Sequence, residues 1–129
     1  MNKREYTGRC HCGNIRFSFL SEEITEARRC NCSLCLRKGI VMSPKYIPPA
    51  DFRLSQNTKE ISTYLWNDRV VDNVFCKTCG IHTYFGSPEY GYRVNMGCVE
   101  QVDAYALEIK IIDGRSMAIA ANPGSHPGN

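Results

Sequence analysis

Eight cysteines in a chain of 129 residues constrain its fold more than any other sequence feature, because seven of them form three tight clusters. The clusters are Cys10-His11-Cys12, Cys30-Asn31-Cys32-Ser33-Leu34-Cys35 and Cys76-Lys77-Thr78-Cys79, while Cys98 stands apart. Structural zinc sites use four protein ligands, whereas catalytic zinc sites typically keep three and leave one position open. Two pairs and one triplet therefore predict two metal sites of different kinds.

The length of the chain predicts one domain over residues 1–120, followed by a flexible tail over residues 121–129 that is rich in turn formers. No apolar run approaches the ~18–20 residues that a membrane span needs, so we expect no membrane partner. The start, residues 1–6, is polar and unlike a secretory signal, which favours the cytoplasm. Disulfides are the alternative use of clustered cysteines, but in a reducing compartment such clusters more often bind metal.

The net charge argues against a nucleic-acid partner. Sixteen basic and thirteen acidic residues give +3 with the thiols counted as neutral. Ligating cysteines are deprotonated, so a four-thiolate zinc centre adds −2 and a three-thiolate centre adds −1. The metallated protein would lie near neutrality, whereas a zinc-ribbon nucleic-acid binder would need a basic stripe with exposed aromatic side chains.

Alternation of apolar and polar residues predicts a mainly antiparallel β fold. The candidate strands are 14–20, 60–66, 70–75, 81–85 and 92–96, and turns are expected at 48–49, 67–68, 87–88 and 113–114. One short helix is expected over Ser33–Lys38, with Ser33 or Asn31 as its N-cap.

The first predicted metal site combines the two cysteine pairs, Cys10/Cys12 and Cys76/Cys79. Each pair is followed by a glycine, which adopts a positive φ without penalty and can turn an amide N–H toward a bound sulfur. Each pair also adjoins a predicted strand. Four thiolates complete a zinc tetrahedron, so this site is expected to be structural.

The second predicted site contains Cys30, Cys32 and Cys35, which can cover one face of a metal ion. The fourth position could be taken by water, by a substrate or by Cys98. With an open position the zinc is a Lewis acid or a holder of a substrate thiol, and the three cysteines are then catalytic residues. With Cys98 bound, the site would be inert.

Three segments, 8–17, 30–35 and 75–80, resemble the glutathione-dependent formaldehyde-activating enzyme family, which includes centromere protein V, and the resemblance runs from about Thr7 to about Val102. It implies an Mss4-like antiparallel β fold. It also implies two bound Zn ions: a structural one on Cys10, Cys12, Cys76 and Cys79, and a catalytic one on Cys30, Cys32 and Cys35, where the thiol of glutathione coordinates. The activity implied is condensation of formaldehyde with glutathione to S-(hydroxymethyl)glutathione, a carbon–sulfur lyase-type reaction.

Other polar and aromatic residues have less specific interpretations. His11 and His82 are expected in a turn and in the core rather than as ligands, and Tyr64 and Trp66 are also expected in the core. The cations near the triplet could bind the carboxylates of glutathione or form a solvated surface; they are Arg28, Arg29, Arg37 and Lys38. The alternative to an enzyme is a non-catalytic zinc-stabilised scaffold for protein interactions, which would not need the triplet.

Overall fold

The computed structural model describes residues 2–54, 58–66 and 71–116. The predicted turn at 67–68 and the predicted tail at 121–129 lie outside the described residues. The strands are β1 (Arg4–Arg9), β2 (Arg16–Ser21), β3 (Glu26–Cys30), β4 (Phe52–Leu54), β5 (Ile61–Trp66), β6 (Val71–Cys76), β7 (His82–Ser87), β8 (Gly91–Val94) and β9 (Glu108–Ile112). The described part is mostly β, as the alternation predicted.

Among the described residues, the strands form two antiparallel sheets and one parallel pair. The first sheet has the order β1-β2-β4 and the second has the order β5-β6-β7-β8. The strands β3 and β9 pair in parallel, so that Cys30 lies opposite Ile112. Parallel strands require a long crossover, and this pairing carries the end of the described chain back to the cysteine triplet.

Side chains from both antiparallel sheets form one hydrophobic cluster. Phe17 and Phe19 point inward from β2, two residues apart, and each is almost completely buried. Phe17 stacks on Phe52 at 5.8 Å between ring centroids, and Phe52 lies 4.8 Å from Tyr84 of the second sheet. Burial of aromatic rings on this scale holds the two sheets together.

The only α-helix among the described residues, α1, covers Ser33–Lys38, as predicted. Its N-cap is Cys32, whose Sγ accepts a hydrogen bond from the Cys35 amide, so the expected cap at Ser33 or Asn31 was wrong. A thiol sulfur therefore takes the place of the usual hydroxyl or amide oxygen. The helix ends at Gly39, which has a φ of 68°.

The other helical segments in the described part of the chain are single 3-10 turns at Pro49–Asp51, Thr58–Glu60, Met96–Cys98, Ala104–Ala106 and Gly114–Ser116. Within the described ranges, no helix combines the length and the apolar character required to cross a membrane.

Candidate metal centres and the adjoining cavity

The two cysteine pairs meet in one group of four sulfurs. The ligand atoms of Cys10, Cys12, Cys76 and Cys79 all lie within 4.8 Å of one another. The Sγ atom of Cys12 is 3.7 Å from that of Cys10 and 3.6 Å from that of Cys76. Four sulfurs at a Zn–S distance of about 2.3 Å in a tetrahedron stand about 3.8 Å apart. The donor set and its spacing therefore fit zinc.

Two turns of the same design present these sulfurs. The amide of Cys10 donates to the Ile15 carbonyl, and the amide of Cys76 donates to the Ile81 carbonyl, both at 3.1 Å. Inside each turn an amide donates to the first sulfur at 3.3 Å, from Ile15 to Cys10 and from Thr78 to Cys76. Such hydrogen bonds orient a thiolate and stabilise its charge.

The glycines of these turns reverse the chain as predicted, and amides of neighbouring residues contact the sulfurs. Gly13 and Gly80 do have positive φ, at 85° and 75°. However, their amides donate to the carbonyls of Cys10 and Cys76, at 3.2 and 2.8 Å, and not to sulfur. Their role is to reverse the chain, while other residues of the turns supply the N–H groups that contact the sulfurs.

The triplet forms the second group, in which the three sulfurs lie within 4.8 Å of one another. Cys30 ends β3, Cys32 caps α1 and Cys35 lies in its first turn. Hydrogen bonds from the Cys32 and Cys35 thiols lower the pKa of Cys30 to about 2, and the hydrogen bond to Cys30 raises the pKa of Cys35. A soft divalent cation would replace these shared protons, so this donor set also fits zinc.

A turn after β9 closes over the triplet. Gly114 packs against Cys30 so tightly that a Cβ at this position would collide with Sγ. The neighbouring residue Asp113 accepts a hydrogen bond from Asn31 Nδ2 at 2.9 Å, and the Arg115 amide donates to Asn31 Oδ1 at 2.9 Å. Sequence reasoning placed a turn at 113–114 but gave no signal that linked it to the cysteines.

Cys98 lies away from the triplet. Its Sγ is buried, 3.7 Å from the His82 carbonyl, and it belongs to neither sulfur group among the described residues. Burial raises its pKa to about 12, with smaller contributions from Cys10 and Cys79 of the first group. The fourth position of the triplet is therefore not filled by Cys98, and the open alternative is the one that the geometry supports.

A cavity of about 250 Å³ adjoins the triplet, and all three of its cysteines line it. Most of the other lining side chains are apolar or aromatic: Leu34, Met42, Tyr46, Trp66, Val71, Phe85 and Ile112. The polar exceptions are Lys38, Asn73 and Arg93. A mainly apolar cleft with a few convergent polar groups is typical of a small-molecule site.

The four cations singled out in the sequence separate in the structure. Arg28 forms an ion pair with Glu26 at 2.7 Å, and Arg29 is exposed. Arg37 is also exposed and donates to the Ser33 carbonyl of its own helix. Only Lys38 lines the cavity. The solvated-surface interpretation therefore fits Arg29 and Arg37, whereas Arg28 is partly buried and paired with Glu26.

Arg93 was missed by sequence reasoning because nothing in its neighbourhood distinguishes it from a surface residue of a strand. Its guanidinium lies 4.7 Å from the centre of the Tyr46 ring, and Nη1 is 3.3 Å from Met42 Sδ. Its Nε is buried and has no hydrogen-bond partner among the described residues. Arg93 therefore brings an incompletely satisfied cation to the cavity wall.

Two aromatic residues depart from the expected core positions. Tyr64 is 52% exposed. Trp66 is partly buried and lines the cavity, so it belongs to the wall of the candidate site.

His11 and His82 lie outside both sulfur groups. His11 is exposed in the first turn. His82 is partly buried in β7, where desolvation and the nearby Lys38 charge lower its pKa to about 3. Its imidazole is therefore neutral at physiological pH.

Comparison with known proteins agrees with these features. A family model described as glutathione-dependent formaldehyde-activating enzyme matches residues 5–112. A crystal structure of a Rhodobacter sphaeroides protein, a structural genomics target, is similar with a TM-score of 0.66 and 28% identity, over 81% of this chain and 99% of that one. The Mss4-like β fold is thereby confirmed. Because the family match covers most of the chain, this protein belongs to the glutathione-dependent formaldehyde-activating enzyme family.

Proposed function

We propose that this protein is a zinc-dependent carbon–sulfur lyase-like enzyme that adds the thiol of glutathione to formaldehyde, giving S-(hydroxymethyl)glutathione. The observation that carries the proposal is the opening of the cysteine triplet onto a cavity that two cations line. A closed four-sulfur site would have no position for a substrate, and a scaffold would not need a second group of this kind.

The residues of the triplet would hold the zinc, with Cys30, Cys32 and Cys35 as three of its ligands. When bound there, zinc would lower the pKa of a coordinating substrate thiol and so supply thiolate near neutral pH. The Cys32 and Cys35 amides donate to the sulfurs of Cys30 and Cys32 at 3.5 and 3.4 Å, and the three sulfurs of the triplet lie within 4.8 Å of one another. The chain therefore preorganises this group of sulfurs before substrate arrives.

The cavity supplies the contacts that would orient the substrate. Glutathione carries two carboxylates, and Arg93 presents a planar guanidinium suited to binding one of them. The Tyr46 ring and Met42 support that guanidinium on the wall of the cavity. The apolar remainder, including Trp66 and Phe85, would exclude water from the sulfur and strengthen these interactions.

In this proposal the first sulfur group has a structural role. Cys10, Cys12, Cys76 and Cys79 would bind one zinc and complete its coordination, leaving no position for chemistry. We also propose that residues 1–120 act as one domain in the cytoplasm, since the eight cysteines are unpaired and a reducing compartment would keep them so.

Exchange NMR with 13C-labelled formaldehyde tests the activity. The zinc-loaded protein should accelerate exchange between free and glutathione-bound formaldehyde above the uncatalysed rate, and the Cys32→Ser variant should not. X-ray absorption at the zinc edge provides the second readout, because glutathione should change the ligand set of one zinc in two. Two four-sulfur zinc sites that millimolar glutathione leaves unchanged would instead support the scaffold.

A further inference from the structure

Lys38 reaches the same cavity as the metal-binding sulfurs. It lies three residues after Cys35 on α1, a spacing that puts two side chains on one face of a helix. Both residues line the cavity. The Lys38 side chain and the sulfurs beside which a substrate thiol would react therefore share one cavity.

The ammonium is held by a set of ordered contacts. Lys38 Nζ donates to Asn73 Oδ1 at 3.0 Å, lies 3.5 Å from His82 Nε2 and sits 4.3 Å from the centre of the Phe85 ring. Asn73 is itself 3% exposed and donates to the Tyr64 carbonyl at 3.1 Å. An ammonium has three donors, and these contacts fix its position without using all of them.

No carboxylate neutralises this ammonium among the described residues. The ion pairs found there involve other cations, namely Lys3, Arg4, Arg9, Arg28 and Lys110. Lys38 touches the Asn73 amide oxygen, the Phe85 ring and the His82 imidazole. The first two groups carry no charge, and the low pKa of His82 keeps its imidazole neutral. A positioned cation without a carboxylate partner, in the same mostly apolar cavity as the three sulfurs, is suited to negative charge that appears during a reaction.

We propose that Lys38 is a catalytic residue that donates a hydrogen bond to the oxygen anion formed when the substrate thiolate attacks formaldehyde. This inference rests on the proposed function. A C–S bond forms, the π bond of the carbonyl breaks, and its electron pair moves to oxygen, which Lys38 Nζ stabilises. The oxygen then takes a proton from solvent, which balances the proton that the thiol released on binding.

Two other roles for Lys38 give different results in the same experiments. If Lys38 only offset the negative charge of the three thiolates, its loss would lower the zinc affinity of the triplet. If it only bound a carboxylate of glutathione, its loss would raise KM and leave kcat unchanged. A donor to the oxygen anion acts in the transition state, so its loss lowers kcat.

The test compares Lys38→Met with Arg37→Met, a matched control on the exposed face of the same helix. Both variants should bind as much zinc as the wild type. Lys38→Met should lose about 100-fold or more in kcat, the usual effect of removing one oxyanion donor, with KM for glutathione nearly unchanged. Should Lys38→Met fail to fold, Lys38→Leu, which also lacks a donor, replaces it, with the same loss expected.

A binding measurement gives a readout independent of turnover. S-(carboxymethyl)glutathione carries an added carboxylate on the carbon that is bonded to sulfur. S-methylglutathione has only a methyl group at that position. Measured by calorimetry, Lys38→Met should bind S-(carboxymethyl)glutathione about tenfold more weakly than the wild type does, as expected for a lost hydrogen bond to a charged group. Lys38→Met should not change the affinity for S-methylglutathione, and Arg37→Met should not change the affinity for either ligand.

The outcomes separate the two proposals. A wild-type protein without exchange activity would contradict the proposed function. If the wild type is active and Lys38→Met keeps its full kcat, the role of Lys38 is overturned but the proposed function is not. Equal losses of affinity for the two glutathione derivatives would have the same meaning. Loss of one zinc in Lys38→Met would overturn it in favour of charge compensation.

Discussion

At the scale of single residues, Gly114 sets how closely the chain can pass over the cysteine triplet. It stands two residues beyond Ile112, the β9 partner of Cys30. A Cβ there would overlap the Cys30 sulfur and would also come within 3.3 Å of Cys32 Cβ. Even alanine must therefore displace the Cys30 sulfur or the turn itself.

We expect Gly114→Ala to lower the zinc content from two to about one per chain while the fold is retained. The added methyl group would displace Cys30 Sγ from the sulfurs of Cys32 and Cys35. Zinc would then be lost, because ligand positions must be held to within about 0.5 Å. Metal analysis after gel filtration measures this. Arg115→Ala is the control, since the Arg115 contact with Asn31 uses its backbone amide. Equal zinc content in both variants would contradict the prediction.

His82 gives a pH prediction at the same scale. Its pKa in the folded protein is about 3, against 6.5 in the unfolded chain, so the unfolded state binds more protons between these values. Its contribution to stability is complete above pH 6.5 and is lost as the pH falls toward 3. The imidazole signals of His82 should show no titration between neutral pH and about pH 5 by NMR. A midpoint near 6.5 would refute the burial argument.

At the scale of elements, the two sulfur groups close very different lengths of chain. The first joins the β1–β2 turn to the β6–β7 turn, and Cys12 and Cys76 are 64 residues apart. The second joins only the end of β3 to the first turn of α1. Closing a long loop removes more conformational freedom from the unfolded chain than closing a short one. The first group should therefore contribute more to folding.

Replacing Cys76 with Ser should lower the free energy of unfolding by several kcal/mol, because structural zinc sites contribute about 10–16 kcal/mol. The Cys32→Ser variant should lose one zinc but keep most of its melting temperature. Thermal unfolding followed by circular dichroism, with zinc measured on the same samples, compares the two. Global unfolding of Cys32→Ser would assign a structural role to the triplet.

At the scale of the whole molecule, the metal content and the charge are linked. The chain carries +3 with neutral thiols, and two zinc centres with seven thiolates would bring it to about zero, because two Zn²⁺ ions add four charges and the thiolates remove seven. Protein without zinc would keep the positive charge. The zinc-bound form would be nearly neutral, so its net charge would not favour binding to nucleic acid.

A chelator should remove the two zinc ions in two steps. The triplet opens on a cavity, so its zinc should leave first, without loss of the β signal in circular dichroism. The first group should release its zinc later, together with unfolding, since its metal binding is coupled to the fold. Native mass spectrometry during chelation records the order. Simultaneous loss of both ions would show that the two sites are not independent.

The sequence determined the features that depend on local spacing. The cysteine pairs with their glycines, the strand alternation around Phe17 and Phe19, and the helix Ser33–Lys38 all follow from residues close together in the chain. The division into a group of four and a group of three sulfurs was also predicted, because two pairs and a triplet allow few sensible combinations. These inferences needed no knowledge of tertiary contacts.

Tertiary structure alone decided what surrounds the triplet. The parallel pairing of β3 with β9 brings Gly114 onto Cys30, yet the charged strand Glu26–Cys30 has little alternation from which to predict it. The positions of Arg93 at the cavity and of Cys98 beside the first group likewise depend on how the sheets pack. Residues far apart in sequence meet only when burial of the core fixes the arrangement of sheets, and local patterns contain no record of that arrangement.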